Sequence, residues 1–252
     1  MNIPAYNSKL PDGVTERFYT VLPEHTDRFG HLRLSILTWQ ITRLAFDHIG
    51  SYGFDYHHLR EENRLWMVIW NQMEFTRIPV AGEELLLRLW SGKGQSVMQS
   101  RKCAIYTKQG DPIGSMTALF AMIDAQTRTM TTAVSDIRKI PIVELENEPK
   151  RPNMFMTFPE EFPHKTEKTV QASQIDPNGH MNNSFYFDWA MEVLPEEFAA
   201  SHTPASFWVE YRKELLEGQT AVLSWTIDET DTLYVVGKIG EDTSFSMKVE
   251  FR

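Results

Sequence analysis

Two kinds of hydrophobic spacing alternate along this chain, and the alternation occurs twice. Leu34, Leu37, Ile41, Leu44, Ala45 and His48 fall on one face at helical spacing, with Gly50 as a stop. A loop rich in glycine, histidine and charge is expected from Ser51 to Asn63. Strand-like runs follow: Leu65 to Trp70 continuing towards Phe75, then Glu84 to Trp90, Val97 to Tyr106 and Ile113 to Ile123. Pro79-Val80-Ala81-Gly82 and Gln109-Gly110-Asp111-Pro112 read as turns between them. These gaps leave no room for crossover helices, so the strands must pair antiparallel. From Pro141 to Lys168 the pattern fails, and Pro141, Pro149, Pro152, Pro159 and Pro163 among acidic residues read as a linker. Met154, Phe155, Met156 and Phe158 predict that it packs across the surface. After Thr169 the order restarts with a strand, a polar turn and a helix carrying Phe185, Tyr186, Trp189, Ala190 and Val193. Strands are expected again near Ser206–Arg212, Thr220–Ile227, Leu233–Ile239 and Phe245–Phe251.

The repetition extends to individual residues. Asp27, Gly30, His31 and Ser35 recur as Asp176, Gly179, His180 and Ser184, at an offset of 149. Glu74 with Gly82 recurs as Glu210 with Gly218, at an offset of 136. Ser115, Met116 and Phe120 are matched more weakly by Ser246, Met247 and Phe251. Three echoes in one order imply a supersecondary unit used twice. A single helix needs a strongly curved antiparallel sheet around it to be buried, and two such halves can join their sheets side by side.

Composition narrows the function classes. With 252 residues, 42% of them hydrophobic, the chain can build one large core or two modest ones. No run approaches the roughly 18 apolar residues of a membrane span, and Met1-Asn2-Ile3-Pro4 does not open a signal peptide. Cys103 is the one cysteine, which excludes an intrachain disulfide and fits a cytoplasmic location. The net charge of −9 argues against nucleic acid, and it requires any acidic partner to dock on a local basic patch. Candidates for such a patch are Lys150-Arg151, His164-Lys165, Lys168 and Arg212-Lys213. His57-His58 lacks further ligands at metal spacing, and no cofactor or metal is expected.

The candidate chemistry lies in Asp176-Pro177-Asn178-Gly179-His180-Met181-Asn182-Asn183. Pro-Asn-Gly marks a turn, and Asn182 or Asn183 suits an N-cap of the helix that follows. Carboxylate, amide and imidazole are thus crowded at a helix start, where unpaired N–H groups can hold developing negative charge. The earlier copy has Arg28 and Phe29 in place of the proline and asparagine, and reads as a structural relic.

Asp176-x-Asn178-x-His180-x-Asn182-Asn183 and Glu210-Tyr211-Arg212-Lys213-Glu214 resemble the two signature segments of the acyl–acyl-carrier-protein thioesterases of plants and bacteria. Leu65-Trp66-Met67-Val68 resembles that family's N-terminal half, so the resemblance spans nearly the whole chain. It implies an α+β tandem double hot-dog, each half a long helix wrapped by a curved antiparallel sheet. The expected divisions are an N-terminal unit over 1–140, a linker over 141–168 and a catalytic unit over 169–252. It implies hydrolysis of the thioester between a fatty acyl chain and the phosphopantetheine arm of acyl carrier protein, as in fatty acid synthesis. Asp176, Asn178, His180 and a Glu on the facing strand, Glu214, are the implied catalytic residues. Leu215 stands where plant members carry a cysteine, which excludes a thiol nucleophile there.

With no thiol, water is the expected nucleophile, with Glu214 as general base and Asn178 positioning it. His180 orients the water or protonates the leaving sulfur, and Asp176 fixes the turn. Amides near Gly179 and His180 are expected to hold the oxyanion. Direct attack by Asp176 or Glu214 through an anhydride stays open. Trp39, Met67, Ile69 and Trp70 are candidates to line an acyl tunnel in the first half. The rival readings are an acyl-coenzyme A thioesterase, a hot-dog dehydratase and a non-catalytic acyl-binding module. Either a monomer or a homodimer satisfies the pattern.

Overall fold

The computed structural model describes residues 3, 5–6, 9–95, 98–131, 139–149 and 156–252. The first half contains β1 (Val14–Thr20), α1 (Leu34–Gly50), α2 (Tyr56–Glu61), β2 (Arg64–Phe75), β3 (Glu84–Gln95), β4 (Met98–Thr107) and β5 (Pro112–Asp124). The second contains β6 (His164–Thr169), α3 (Phe185–Met191), α4 (Glu196–Ser201), β7 (Pro204–Tyr211), β8 (Thr220–Ile227), β9 (Thr232–Ile239) and β10 (Asp242–Phe251). These strands form a ten-stranded sheet in the order β1-β3-β4-β5-β2-β7-β10-β9-β8-β6, with every pairing antiparallel.

That order is the same five-strand arrangement written forwards and then backwards, as the two expected hot-dog units joined side by side require. The seam is β2 against β7, with Trp70 opposite Glu210, Gln72 opposite Trp208 and Glu74 opposite Ser206. Under the 136-residue offset seen in the sequence, Trp70 is equivalent to Ser206 and Glu74 to Glu210. The pair Trp70–Glu210 therefore maps onto the pair Ser206–Glu74, and a pseudo-two-fold axis passes between Gln72 and Trp208, which face each other as counterparts. The weaker echo also has a structural meaning, because Ser115-Met116 lies on β5 and Ser246-Met247 on β10, which hold equivalent places.

Helix α1 packs against β1, β3 and α3. Leu37, Ile41 and Leu44 are almost wholly buried there. Each contributes about 1.5–3 kcal/mol by leaving water, which is what holds a helix with no N-terminal side-chain cap of its own. The counterpart α3 has only 7 residues, so the expected long helix of the second half is broken. It stops before Pro195, which caps α4; proline has no N–H to donate and disfavours the helical conformation in the residue before it.

Two other expectations change. The loop expected from Ser51 to Asn63 contains α2, started by Asp55, whose side chain accepts the N–H groups of His57 and His58. The expected linker ends in β6, so its last residues belong to the sheet edge. Upstream of that strand the segment does pack on the protein. Val143 and Leu145 cover Leu86, Trp90 and Tyr106 on the outer face of β3 and β4. Glu148 accepts a hydrogen bond from Trp90 Nε1 and pairs with Lys102. Phe158 rests edge-on against Tyr234. Met154, Phe155, Lys150 and Arg151 lie outside the described residues.

Candidate active site

The Asp176–Met181 turn is closed by its own backbone. Asp176 N–H donates to the His180 carbonyl and Gly179 N–H to the Asp176 carbonyl, each at 2.9 Å. The Asp176 carboxylate accepts the Asn178 N–H at 2.7 Å, an Asx turn. Gly179 has φ +84°, a left-handed conformation that other residues adopt at a cost. An isolated bridge between Ile175 and Met181 ties the ends together. So the sequence Asp-Pro-Asn-Gly-His makes a rigid loop ahead of the helix rather than the helix start itself.

That placement corrects two expectations. Gly179 N–H is already spent, so it cannot serve an oxyanion, and α3 begins only at Phe185. The N-cap of α3 is Ser184, while Asn182 stabilises the turn before it by accepting the Ser184 N–H at 3.0 Å and hydroxyl at 2.8 Å. Asn183 contributes its carbonyl, which accepts the Tyr211 hydroxyl at 3.1 Å.

Glu214 lies beyond the end of β7, in the loop leading to β8, and not on the strand as expected. Its loop is pinned to the motif turn and to β10. Met181 N–H donates to the Leu215 carbonyl at 2.7 Å, and the Arg212 and Lys213 N–H groups both reach the Ser244 carbonyl. Leu215 itself is fully buried. Two loops separated in sequence are thereby fixed backbone to backbone, and their side chains meet as a result.

His180 stands between the two acids. Its Nδ1 is 3.9 Å from Asp176 Oδ2, and its Nε2 is 3.9 Å from Glu214 Oε1. The Met181 carbonyl, 3.2 Å from Nδ1, can only accept, so the network assigns the proton to Nδ1 and leaves Nε2 open on the Glu214 side. Asn178 Oδ1 is buried with no protein partner. A buried acceptor without a donor is costly unless something that binds there supplies one.

Arg128 is a site residue that the sequence reading missed. It comes from the turn after β5, in the first half, and has φ +57°. Its Nη1 donates to Glu214 Oε1 and its Nη2 to the Asn178 carbonyl, each at 3.1 Å. Arg60 of α2 similarly donates to the Pro177 carbonyl at 2.9 Å. Two arginines of the first half thus hold the motif loop of the second. Neither lies in a motif; a link between positions 86 residues apart is not visible in spacing.

These groups open on a cavity of about 130 Å³ between the halves. Thr42, Phe46, Trp66, Met67, Val68 and Phe120 form its first-half wall, and Tyr186 and Tyr211 close it from the second. Met67 lines this cavity, whereas Trp39, Ile69 and Trp70 do not. Trp39 is 43% exposed on the outer side of α1. Register shifts between Val68 and Trp70, which leaves Ile69 as the extra residue of a bulge. The bulge reverses the inward–outward alternation, so Trp66 and Val68 face the cavity and Trp70 does not.

The earlier copy keeps part of this geometry. His31 Nδ1 is again 3.9 Å from its aspartate, Asp27 Oδ2, and Asp27 accepts the N–H groups of Phe29 and His31. A larger cavity of about 420 Å³ lies beside it. However, the position equivalent to Glu214 under the 136-residue offset is Ile78, which lines that cavity. Asp188 and Glu192 also line this cavity, but it has no counterpart of Glu214 or of the motif asparagine Asn178.

Among the described residues no group of three or more His, Cys, Asp or Glu side chains could hold a metal ion. No helix is long and apolar enough to cross a membrane.

Residues 12–140 match the family model of the acyl-ACP thioesterase N-terminal domain, and residues 159–250 that of its C-terminal domain. Among curated proteins, the chain is 24% identical over 164 residues to a chloroplastic dodecanoyl-[acyl-carrier-protein] hydrolase of Cinnamomum camphora, covering 62% of this chain and 43% of that protein. It is 24% identical over 230 residues to the chloroplastic oleoyl-acyl carrier protein thioesterase 2 of Arabidopsis thaliana, covering 81% of this chain and 61% of that one. The chain spans about half the length of the curated relatives it matches. Two solved structures share the fold: an acyl-ACP thioesterase from Bacteroides thetaiotaomicron, with TM-score 0.85 and 22% identity over 96% of this chain and 98% of that one, and the 12:0-ACP thioesterase from Umbellularia californica, with TM-score 0.85 and 17% identity over 97% and 99%. With both family models placed in order along the chain, and the motif turn and Glu214 inside the second, the protein belongs to the acyl-ACP thioesterase family.

Proposed function

We propose that the chain hydrolyses fatty acyl thioesters carried on acyl carrier protein, with the chemistry in the second half and the acyl chain held by the first. The observation that carries this reading is the convergence of Asp176, Asn178, His180 and Glu214 at the mouth of a cavity whose other wall is largely apolar. Hydrolysis needs a base and a proton carrier at the wet end of a site and a dry slot for the chain, and this arrangement supplies both.

In this mechanism Glu214 accepts one hydrogen of the attacking water, and His180 Nε2, 3.9 Å from Glu214 Oε1, is placed to take over the proton that Glu214 removes. Asn178 Oδ1 accepts the water's second hydrogen. Glu214 removes a proton as the water oxygen attacks the thioester carbon. That proton passes to His180 Nε2 and on to the sulfur as the C–S bond breaks. The products are the free acid and the thiol, and both residues return to their starting state. Asp176 fixes the turn that carries His180. Labelled water in a single turnover tests this route: label must appear in the fatty acid alone, and label in an enzyme carboxylate would replace it with an anhydride pathway.

Carrier docking is proposed at the Arg212-Lys213 rim of the cavity. Both side chains are more than half exposed and already face Glu210 and Asp242. Exposed pairs of this kind are worth little, so an acidic carrier can displace them. Turnover of one acyl chain presented on carrier protein and on coenzyme A separates this proposal from a coenzyme A thioesterase. The buried, reduced Cys103 is consistent with a cytoplasmic setting.

A further inference from the structure

Thr42, Phe46, Trp66 and Phe120, which wall the site cavity, also line a second, small space next to it. Arg101 lines that space as well. Its strand, β4, alternates so that Arg101, Cys103 and Ile105 point to the helix-packed face, where Cys103 and Ile105 join the main core. An arginine in that row is out of place: it is 2% exposed.

Its partners do not balance its charge. Among the described residues Arg101 makes no ion pair, and its five N–H donors have one long hydrogen bond, 3.4 Å to the Ser100 carbonyl. The guanidinium lies 5.4 Å from the Trp66 ring centre. A ring contact offsets only a small part of the cost of burying an unpaired cation. The remaining polar groups nearby add no negative charge. Trp66 Nε1 is a buried donor with no partner. His48 is kept neutral, its pKa lowered to about 4 by burial and by Arg101 itself. Burial also lowers Arg101, to about 9, which still leaves it charged at neutral pH. A hydrocarbon chain entering this space would bury the cation further and supply nothing to it.

Resting on the thioesterase reading above, we propose that Arg101, with Trp66 Nε1, recognises a carboxylate at the far end of the acyl chain, so that the preferred substrates are thioesters of ω-carboxyl acyl groups. Such a chain places its thioester at His180 and Glu214, its methylenes against Phe46 and Phe120, and its distal anion on Arg101. An ω-carboxylate is the ligand chemistry that removes both unpaired donors at once.

The test is a length series of acyl thioesters on one carrier, each length made with a plain, an ω-hydroxyl and an ω-carboxyl end. At the best length the ω-carboxyl substrate is expected to exceed the plain one in kcat/KM by about tenfold or more, the usual worth of a hydrogen-bonded charge pair. Arg101→Met is expected to invert that ratio. Independently of hydrolysis, free dicarboxylic acids should raise the Tm of the wild-type protein more than monocarboxylic acids of equal length. A plain chain preferred by the wild type, or an unchanged ratio in Arg101→Met, overturns the proposal. If Arg101→Met does not fold, the wild-type series decides alone. Dicarboxylate stabilisation with no hydrolysis of any thioester would keep this site and remove the thioesterase reading. Hydrolysis of plain chains without a dicarboxylate effect would do the reverse.

Discussion

Glu214 and His180 face one another because the loops beneath them are bonded through Met181 and Leu215, not because their side chains bond. That leaves the carboxylate to be aimed by Arg128, which bridges it to the Asn178 carbonyl. Arg128 is thus a positioning residue. Arg128→Ala is expected to lower kcat by about 10–100-fold with a small change in KM, as misplacement of a reacting group does, and Arg128→Lys to recover part of the loss. A KM effect alone, or no rescue by lysine, would count against it. Near Arg101, His48 makes stability depend on pH. It is buried between Thr15 and Ser91, and its pKa is about 4 against an ordinary 6.5. Between those values the unfolded chain takes up a proton that the folded one refuses. The contribution is therefore full above pH 6.5, fades as pH falls and is gone near 4, an effect of up to about 3 kcal/mol. Denaturant melts from pH 7 to 4 should show a shallower loss in His48→Gln than in the wild type. The motif residues were legible in the sequence because their chemistry is local. Arg128 and Arg101 were not, because one acts across 86 residues and the other differs from a surface arginine only by where its strand points.

At the level of elements, the two halves were readable wherever periodicity was unbroken. Helix α1 runs from Leu34 to Gly50 as its spacing predicts, and the strand runs of both halves recur close to their expected places. The misses have local causes. Asp55 starts α2 inside an expected loop, Pro195 splits the second helix, and the Ile69 bulge turns Trp70 away from the cavity. A bulge leaves no mark in composition, so a tunnel wall cannot be read by alternation across it. The burial of α1 makes a direct prediction: Ile41→Ala, at a fully buried position, should cost about 2–5 kcal/mol in equilibrium unfolding. A loss below 1 kcal/mol would mean that the sheet does not grip this helix.

Across the whole molecule, the two halves share one topology but differ at the equivalent loops. The β2–β7 seam preserves the pseudo-two-fold register, while Ile78 stands at the position equivalent to Glu214, so the glutamate that the proposed mechanism uses as a base has no counterpart in the first half. The intact site is built across the halves, since Arg60 and Arg128 of the first hold the loop of the second. A net charge of −9 repels an acidic carrier overall, so the proposed docking rests on the local rim of Arg212 and Lys213. Raising ionic strength from 0.05 to 0.5 M, roughly a threefold shorter screening length, should lower kcat/KM for a carrier-borne substrate more than for a small thioester. Equal responses would argue against electrostatic docking.

The most direct measurement is the rate of free thiol release from a saturated acyl carrier protein by the wild-type protein and by Glu214→Gln, with folding of both verified by circular dichroism. The wild type is expected to turn over and the variant to be slower by about 100-fold or more, the usual worth of a positioned general base. Equal rates, or no thiol released by the folded wild type at any chain length or chain end, would contradict hydrolysis at this site.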